Sequence, residues 1–199
     1  MKKKQTGIKV LIIGIVLVCL VLGYFYYLTN RKPKQDSKDS VKISDVQEIL
    51  LRNLDTNYPP TPREVVKYFC EVSKSLYGDS YTEEEFLELA MQARRLYDDE
   101  LLASNNEKQY LENLKWDINQ FKEQEIVIST YAPASSTDVE YFTQDGYSWA
   151  QMRCTFTLRK GTQLASSKEM FLLRKDADGH WKIYGWTMDE ESSLSNSGQ

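Results

Sequence analysis

The sequence predicts an α+β domain carried behind a membrane anchor, and three observations say so. Between Ser44 and Glu125 apolar residues recur at helical spacing. After Glu125 they alternate with a period of two. Before both, the run from Ile8 to Leu28 is almost wholly Ile, Leu, Val, Gly and aromatic, with Lys9 its only charge.

The helical half opens with Ser44 and, three residues on, Gln47, the reciprocal pair of a capping box. Val46, Ile49, Leu50 and Leu54 then follow at helical spacing. Asn57-Tyr58-Pro59-Pro60 breaks this helix. Thr61-Pro62-Arg63-Glu64 starts the next, with a hydroxyl N-cap, a proline at the first helical position and a glutamate at the third. Val65, Val66, Phe69, Val72, Ser73 and Leu76 line its inner face until Gly78 stops it. Thr82 with Glu85 opens a third helix bearing Phe86, Leu89, Ala93 and Leu96. A fourth runs from about Glu107 to Lys122 and buries Tyr110, Leu114, Ile118 and Phe121.

The strand half begins with the β-branched run Ile126-Val127-Ile128. Val139 to Thr143 leads into Asp145-Gly146, a tight-hairpin signal. In the strand that follows, Ala150, Met152, Cys154, Phe156 and Leu158 share one face. Trp149, Gln151, Arg153, Thr155 and Thr157 share the other. Met170 to Leu173 reads as a central strand, and Asp176-Ala177-Asp178-Gly179 turns the chain into a last one, Trp181 to Met188. Helices first and an antiparallel meander second predict about four helices packed on one face of a curved antiparallel sheet.

The organisation is therefore a short basic tail over residues 1–7, a transmembrane helix over 8–28 and a flexible linker over 29–43. The α+β domain spans 44–189, and a Ser-rich tail spans 190–199. At about 1.5 Å per residue the apolar run suits a hydrocarbon core of about 30 Å. Tyr24, Phe25, Tyr26 and Tyr27 gather at its end, where aromatic rings favour the headgroups. Val18 stands before Cys19 where a lipobox would carry a small residue, and no small-x-small cleavage site follows the run. Lys2, Lys3, Lys4 and Lys9 outweigh the diluted basic residues beyond it, which predicts a cytoplasmic N-terminus and an extracytoplasmic domain. Beyond the anchor 21 basic residues face 29 acidic ones, a balance that argues against a nucleic-acid partner.

The order of elements and the closing Trp181-Lys182-Ile183-Tyr184-Gly185-Trp186 strand resemble the nuclear-transport-factor-2-like (cystatin-like) cone. Asn57-Tyr58-Pro59-Pro60-Thr61-Pro62-Arg63-Glu64-Val65-Val66 and Phe171-Leu172-Leu173-Arg174-Lys175-Asp176 resemble a family of small membrane-anchored bacterial proteins of unknown function. The resemblance covers about Val46 to Asp189. It implies fold and topology and brings no catalytic residues.

No acid, base and nucleophile converge in the sequence, so no catalytic, metal or cofactor site is expected. His180, the only histidine, sits in a turn and reads as exposed. Thr82-Glu83-Glu84-Glu85 is explained by capping and the helix dipole, and Asp98-Asp99-Glu100 reads as a solvated helical face. Asp138, Glu140, Tyr141 and Tyr147 stand near strand ends, where the open end of a cone would lie, and read as ordinary surface. Cys70 and Cys154 are placed to meet beneath the sheet, either as buried free thiols or as a disulfide. Trp149, Gln151 and Arg153 form a candidate interaction surface, with Trp149 packed either on the domain's own elements or on a partner. The leading expectation is a membrane-anchored, non-enzymatic extracytoplasmic module that binds a protein partner or self-associates. An assembly-factor-like subunit of a conjugation (type IV secretion) system is the architectural alternative. A small-ligand-binding cone is the third.

Overall fold

The structure is a computed structural model and describes residues 44–189. The predicted transmembrane helix 8–28, the linker and the tail 190–199 lie outside the described residues. Among the described residues no helix is long and apolar enough to cross a membrane.

The described residues form an α+β domain of five helices followed by a five-stranded antiparallel sheet. The helices are α1 (Asp45–Leu50), α2 (Pro62–Gly78), α3 (Glu83–Arg94), α4 (Asp99–Ser104) and α5 (Glu107–Glu123). Their starts are where the capping chemistry put them. Ser44 and Gln47 make both halves of a capping box, as do Thr82 and Glu85, and Thr61 accepts the Glu64 N–H above Pro62.

The third helix ends two residues before Leu96. The chain leaves it at Arg95 and runs extended along the free edge of the last strand. There the Ile183 N–H donates to Leu96 at 2.8 Å and the Asp98 N–H donates back to Ile183 at 2.8 Å. Leu96 is buried as its apolar character requires, but through a strand-like bridge rather than a helical face. That detour creates α4, a short helix not anticipated from periodicity and capped by Asp98.

The strands are β1 (Ile126–Pro133), β2 (Glu140–Gln144), β3 (Tyr147–Lys160), β4 (Gln163–Lys175) and β5 (Trp181–Met188). The sheet order is β1-β3-β4-β5, with β2 pairing the first part of the long β3 and β1 pairing its remainder. Asp145 and Gly146 both take positive φ, +52° and +80°, as a two-residue hairpin of the primed kind requires. Register breaks in β1 between Ile128 and Thr130, and between β4 and β5 at Leu172/Leu173. The second break has a consequence for side chains. Plain alternation from Ile183 would turn Trp186 outward, but the extra residue opposite β4 brings it into register with Phe171 on the helix-facing side.

One core fills the space between helices and sheet. Val65, Val66, Cys70 and Val72 of α2 meet Ala150, Met152 and Cys154 of β3 and Phe171, Leu173 and Ile183, all with essentially no exposure. The inward alternation expected of β3 is therefore observed. Each of the valine, leucine, isoleucine, phenylalanine and methionine side chains contributes roughly 1.5–3 kcal/mol through removal from water.

Candidate functional site

Between α2, α3, α5 and the end of β5 the packing is incomplete, and a two-lobed cavity opens there. The outer lobe, about 290 Å³, is lined by Phe69, Ser73 and Tyr77 of α2, Arg94 and Tyr97, Leu101 and Asn105, Tyr110, Leu114 and Asp117 of α5, and Trp186. The inner lobe, about 210 Å³, lies on the sheet side, lined by Phe121, Phe156, Glu169 and Phe171, and is likewise open to solvent. Phe69, Ser73, Tyr77, Asp117 and Trp186 belong to both lobes. Together they reach the size range of sites for small organic ligands.

Helical spacing explains how these groups converge. Ser73 and Tyr77 lie one turn apart on α2, and Ser73 Oγ donates to the Phe69 carbonyl at 2.8 Å, which leaves no side-chain bulk in the opening. Tyr110, Leu114, Asp117, Ile118 and Phe121 form the inner stripe of α5. Only Ile118 of these is fully buried; the others are half-covered because the cavity, not the core, lies beneath them. Asp117 is the charge on that otherwise apolar stripe, and its carboxylate accepts a hydrogen bond from the Tyr77 hydroxyl. Burial, then that carboxylate, pushes the Tyr77 hydroxyl far above its ordinary pKa, and burial likewise raises Tyr97 and Tyr110. These phenols stay neutral donors. Arg94 donates to the Asn105 carbonyl at 3.2 Å and lies 5.6 Å over the Tyr110 ring, so it borders the outer lobe only.

The outer face of the sheet carries a second arrangement. Arg174 reaches Asp98 through two hydrogen bonds, 2.9 and 2.5 Å, and Glu100 through a third at 2.7 Å. Three rings surround its guanidinium: Tyr147 at 4.8 Å, Tyr184 at 5.1 Å and Trp149 at 5.5 Å. Asp98 is 3% exposed, so the solvated face expected of Asp98-Asp99-Glu100 is corrected at its first residue. The guanidinium reaching across from β4 makes that burial tolerable.

The residues singled out from the sequence are distributed as follows. Trp149 is 9% exposed, stacked on Phe142, edge-on to Tyr184, and donates its indole N–H to the Gln144 carbonyl at 3.1 Å. It packs on its own sheet face, so the exposed tryptophan that a partner patch would need is absent at 149. Gln151 is half-buried, and Arg153 is exposed and ion-paired with Asp189 at 2.8 Å. Cys70 and Cys154 do meet, Sγ to Sγ at 3.4 Å, as free thiols rather than a disulfide, and burial pushes the Cys70 thiol up. His180 is exposed at a turn and rests on the Tyr58 ring at 4.4 Å, where Asp176 accepts its backbone N–H. Asp138, Glu140, Tyr141 and Tyr147 are exposed and none lines the cavity.

Residues 1–186 match the profile of a family described as a domain of unknown function, DUF6715. The chain belongs to that family. No curated protein matches it. The family description assigns no residue a role, so the cavity is the feature from which function has to be argued. Sequence reading missed its polar members, although two signals were present. Asp117 interrupts an apolar helical stripe, and alternation back from Phe171 turns Glu169 inward.

Proposed function

We propose that this chain is a membrane-tethered, non-enzymatic binding module whose extracytoplasmic cone, of the nuclear-transport-factor-2-like kind, holds a small organic ligand. The observation that carries the ligand is the two-lobed cavity, which is apolar and aromatic with a few convergent polar groups. The apolar run Ile8–Leu28 supports the tether. Among the described residues neither lobe is lined by a cysteine or histidine, and burial holds the Tyr77 hydroxyl beside Asp117 in its neutral form, which supports binding over chemistry. A protein partner or self-association is the second reading. It is favoured by the exposed rings of Tyr141, Phe142 and Tyr147 on the β2–β3 hairpin.

Ligand-observed NMR of the full chain with small water-soluble aromatic fragments tests the ligand. Fragments should bind, and Ser73→Phe, which projects a ring into both lobes, should abolish binding while the chain stays folded. Equal binding by the filled variant would move the site elsewhere. For the tether, a thiol reagent that cannot cross membranes should label an introduced Ser195→Cys in intact cells. Labelling only after lysis would reverse the orientation.

A further inference from the structure

The inner lobe has a composition that points to the charge of its guest. Six of its wall residues are aromatic: Phe69, Tyr77, Phe121, Phe156, Phe171 and Trp186. The rings pack on one another rather than fill the space. Phe171 and Trp186 stack at 5.9 Å, Phe69 stands edge-on to Phe171 at 5.6 Å, and Tyr77 stands edge-on to Phe121 at 4.8 Å. Two further wall residues are acids, Asp117 and Glu169, and no Lys, Arg or His lines this lobe. Among the described residues the hydrogen-bond partners of these acids are neutral hydroxyls, Tyr77 for Asp117 and Ser167 at 2.9 Å for Glu169. Neither is in an ion pair with a basic side chain.

We propose that the inner lobe is a site for a small organic ammonium ion, a refinement that rests on the cavity being a ligand site at all. The physical argument is one of differential cost. A neutral guest strips water from two carboxylates and returns at most a hydrogen bond, never a countercharge, and negative charge placed in this lobe is repelled. An ammonium or trimethylammonium head replaces that water with a countercharge. It also meets ring faces whose quadrupole attracts cations, the same physics that lets aromatic cages take quaternary ammonium ions. Arg94 stands at the outer lobe only, so the cationic head belongs inward and a polar or anionic end outward, toward Arg94 and Asn105. Discrimination thus arises as much from what the lobe penalises as from what it attracts.

Three probes of nearly one shape and different charge test this: choline, its carbon analogue 3,3-dimethylbutan-1-ol, and 3,3-dimethylbutanoate. Their affinities for the full chain in non-ionic detergent are read by ligand-observed NMR titration. Choline should bind on the order of tenfold more tightly than the alcohol and than the carboxylate, whose uncharged tert-butyl heads gain no countercharge from Asp117 and Glu169. Glu169→Gln and Asp117→Asn should each lower choline affinity several-fold and leave the alcohol's unchanged, with thermal melts showing that both variants stay folded. Glu169→Gln keeps an acceptor for Ser167 and so is the cleaner variant. Equal affinity for choline and the alcohol, untouched by either variant, would overturn the ammonium assignment and leave the ligand cavity standing. Failure of every probe, together with aromatic fragments that ignore Ser73→Phe, would remove both.

Discussion

Arg174→Gln is the most demanding test of the outer face, because the structure makes its cost calculable from one buried charge. Arg174 is 12% exposed and its partner Asp98 4% by side chain. Shortening the side chain to a neutral amide leaves the Asp98 carboxylate inside the protein without its counterion. Breaking a buried pair from one side costs about 3–5 kcal/mol, and the lost contact with three rings adds about 0.5–1 kcal/mol for a partly exposed cation. A domain of this size has about 5–15 kcal/mol in all, so the variant should lose a large share of its stability. Asp98→Asn should cost less, because an asparagine oxygen still accepts the Glu100 N–H that caps α4 at 3.0 Å. In the double variant both charges are gone, and its loss should fall well short of the two single losses added. Urea unfolding of the full chain and the three variants of the cycle gives these numbers directly. A loss under about 1 kcal/mol for Arg174→Gln, or strict additivity, would mean that Asp98 is hydrated in solution and the pair is ornamental.

Trp149→Ala should destabilise by about 3 kcal/mol, since the ring is buried and its indole N–H is bonded; a loss within about 0.5 kcal/mol would return it to the surface. With Cys19 replaced by Ser, Cys70 and Cys154 should resist a maleimide in the native chain and react once urea unfolds it. Rapid native labelling of either would contradict their complete burial. Diamide added as the chain refolds from urea, while the thiols are still accessible, should join the two into a disulfide, the pair losing two hydrogens to the reagent. Closing an 84-residue separation should then raise stability by roughly 4–5 kcal/mol in the chain-entropy view. Tyr68 is pushed up to about 12 by burial, against 10.0 for the unfolded chain, and donates to the Ile49 carbonyl at 3.1 Å. Because its folded pKa is the higher, the stability it contributes is complete below pH 10 and lost as pH climbs toward 12. Tyr68→Phe should flatten base unfolding in that interval, and an unchanged profile would assign the alkaline loss to other groups.

Much of this fold was legible because its signals are local. Caps at Ser44, Thr61 and Thr82 act within one turn, and Asp145-Gly146 declares its backbone by chemistry alone. What stayed hidden depended on pairing between distant segments. Leu96 fits a helical stripe, yet it is drawn off α3 where its carbonyl accepts the N–H of Ile183, 87 positions on, and the Asp98 N–H donates back to that residue. Trp186 reaches the cavity through an irregular register that only the β4–β5 pairing reveals. Trp149 shows the limit of alternation, which assigns a face correctly and says nothing of what covers it. The cavity illustrates the same limit from inside. Periodicity places Tyr110, Leu114 and Phe121 inward, but whether the interior is filled depends on side-chain volumes contributed by four separate elements.

The segment from Tyr97 to Asn105 ties the two faces of the domain together. Tyr97, Leu101 and Asn105 line the outer lobe, while Asp98 and Glu100, interleaved with them, are gripped by Arg174 from the other side of the sheet edge. A helix of six residues has too few internal bonds to hold itself in place, so its position rests on that grip and on the bridge to Ile183. The cavity wall therefore depends on a charge that never touches the cavity. Glu100→Gln separates this positioning effect from wholesale destabilisation, because Glu100 is exposed and the Asp98 pair survives its loss. Arg174 and the Tyr184 hydroxyl hold the Glu100 carboxyl below its usual pKa, and that contribution is present above about pH 4.5 and lost as pH falls through the lowered value. Near neutral pH the variant should melt only slightly lower, since an exposed group contributes little, while fragments that bind the outer lobe weaken several-fold. Unchanged fragment binding would show that Asp98 and the Ile183 bridge suffice to set the wall.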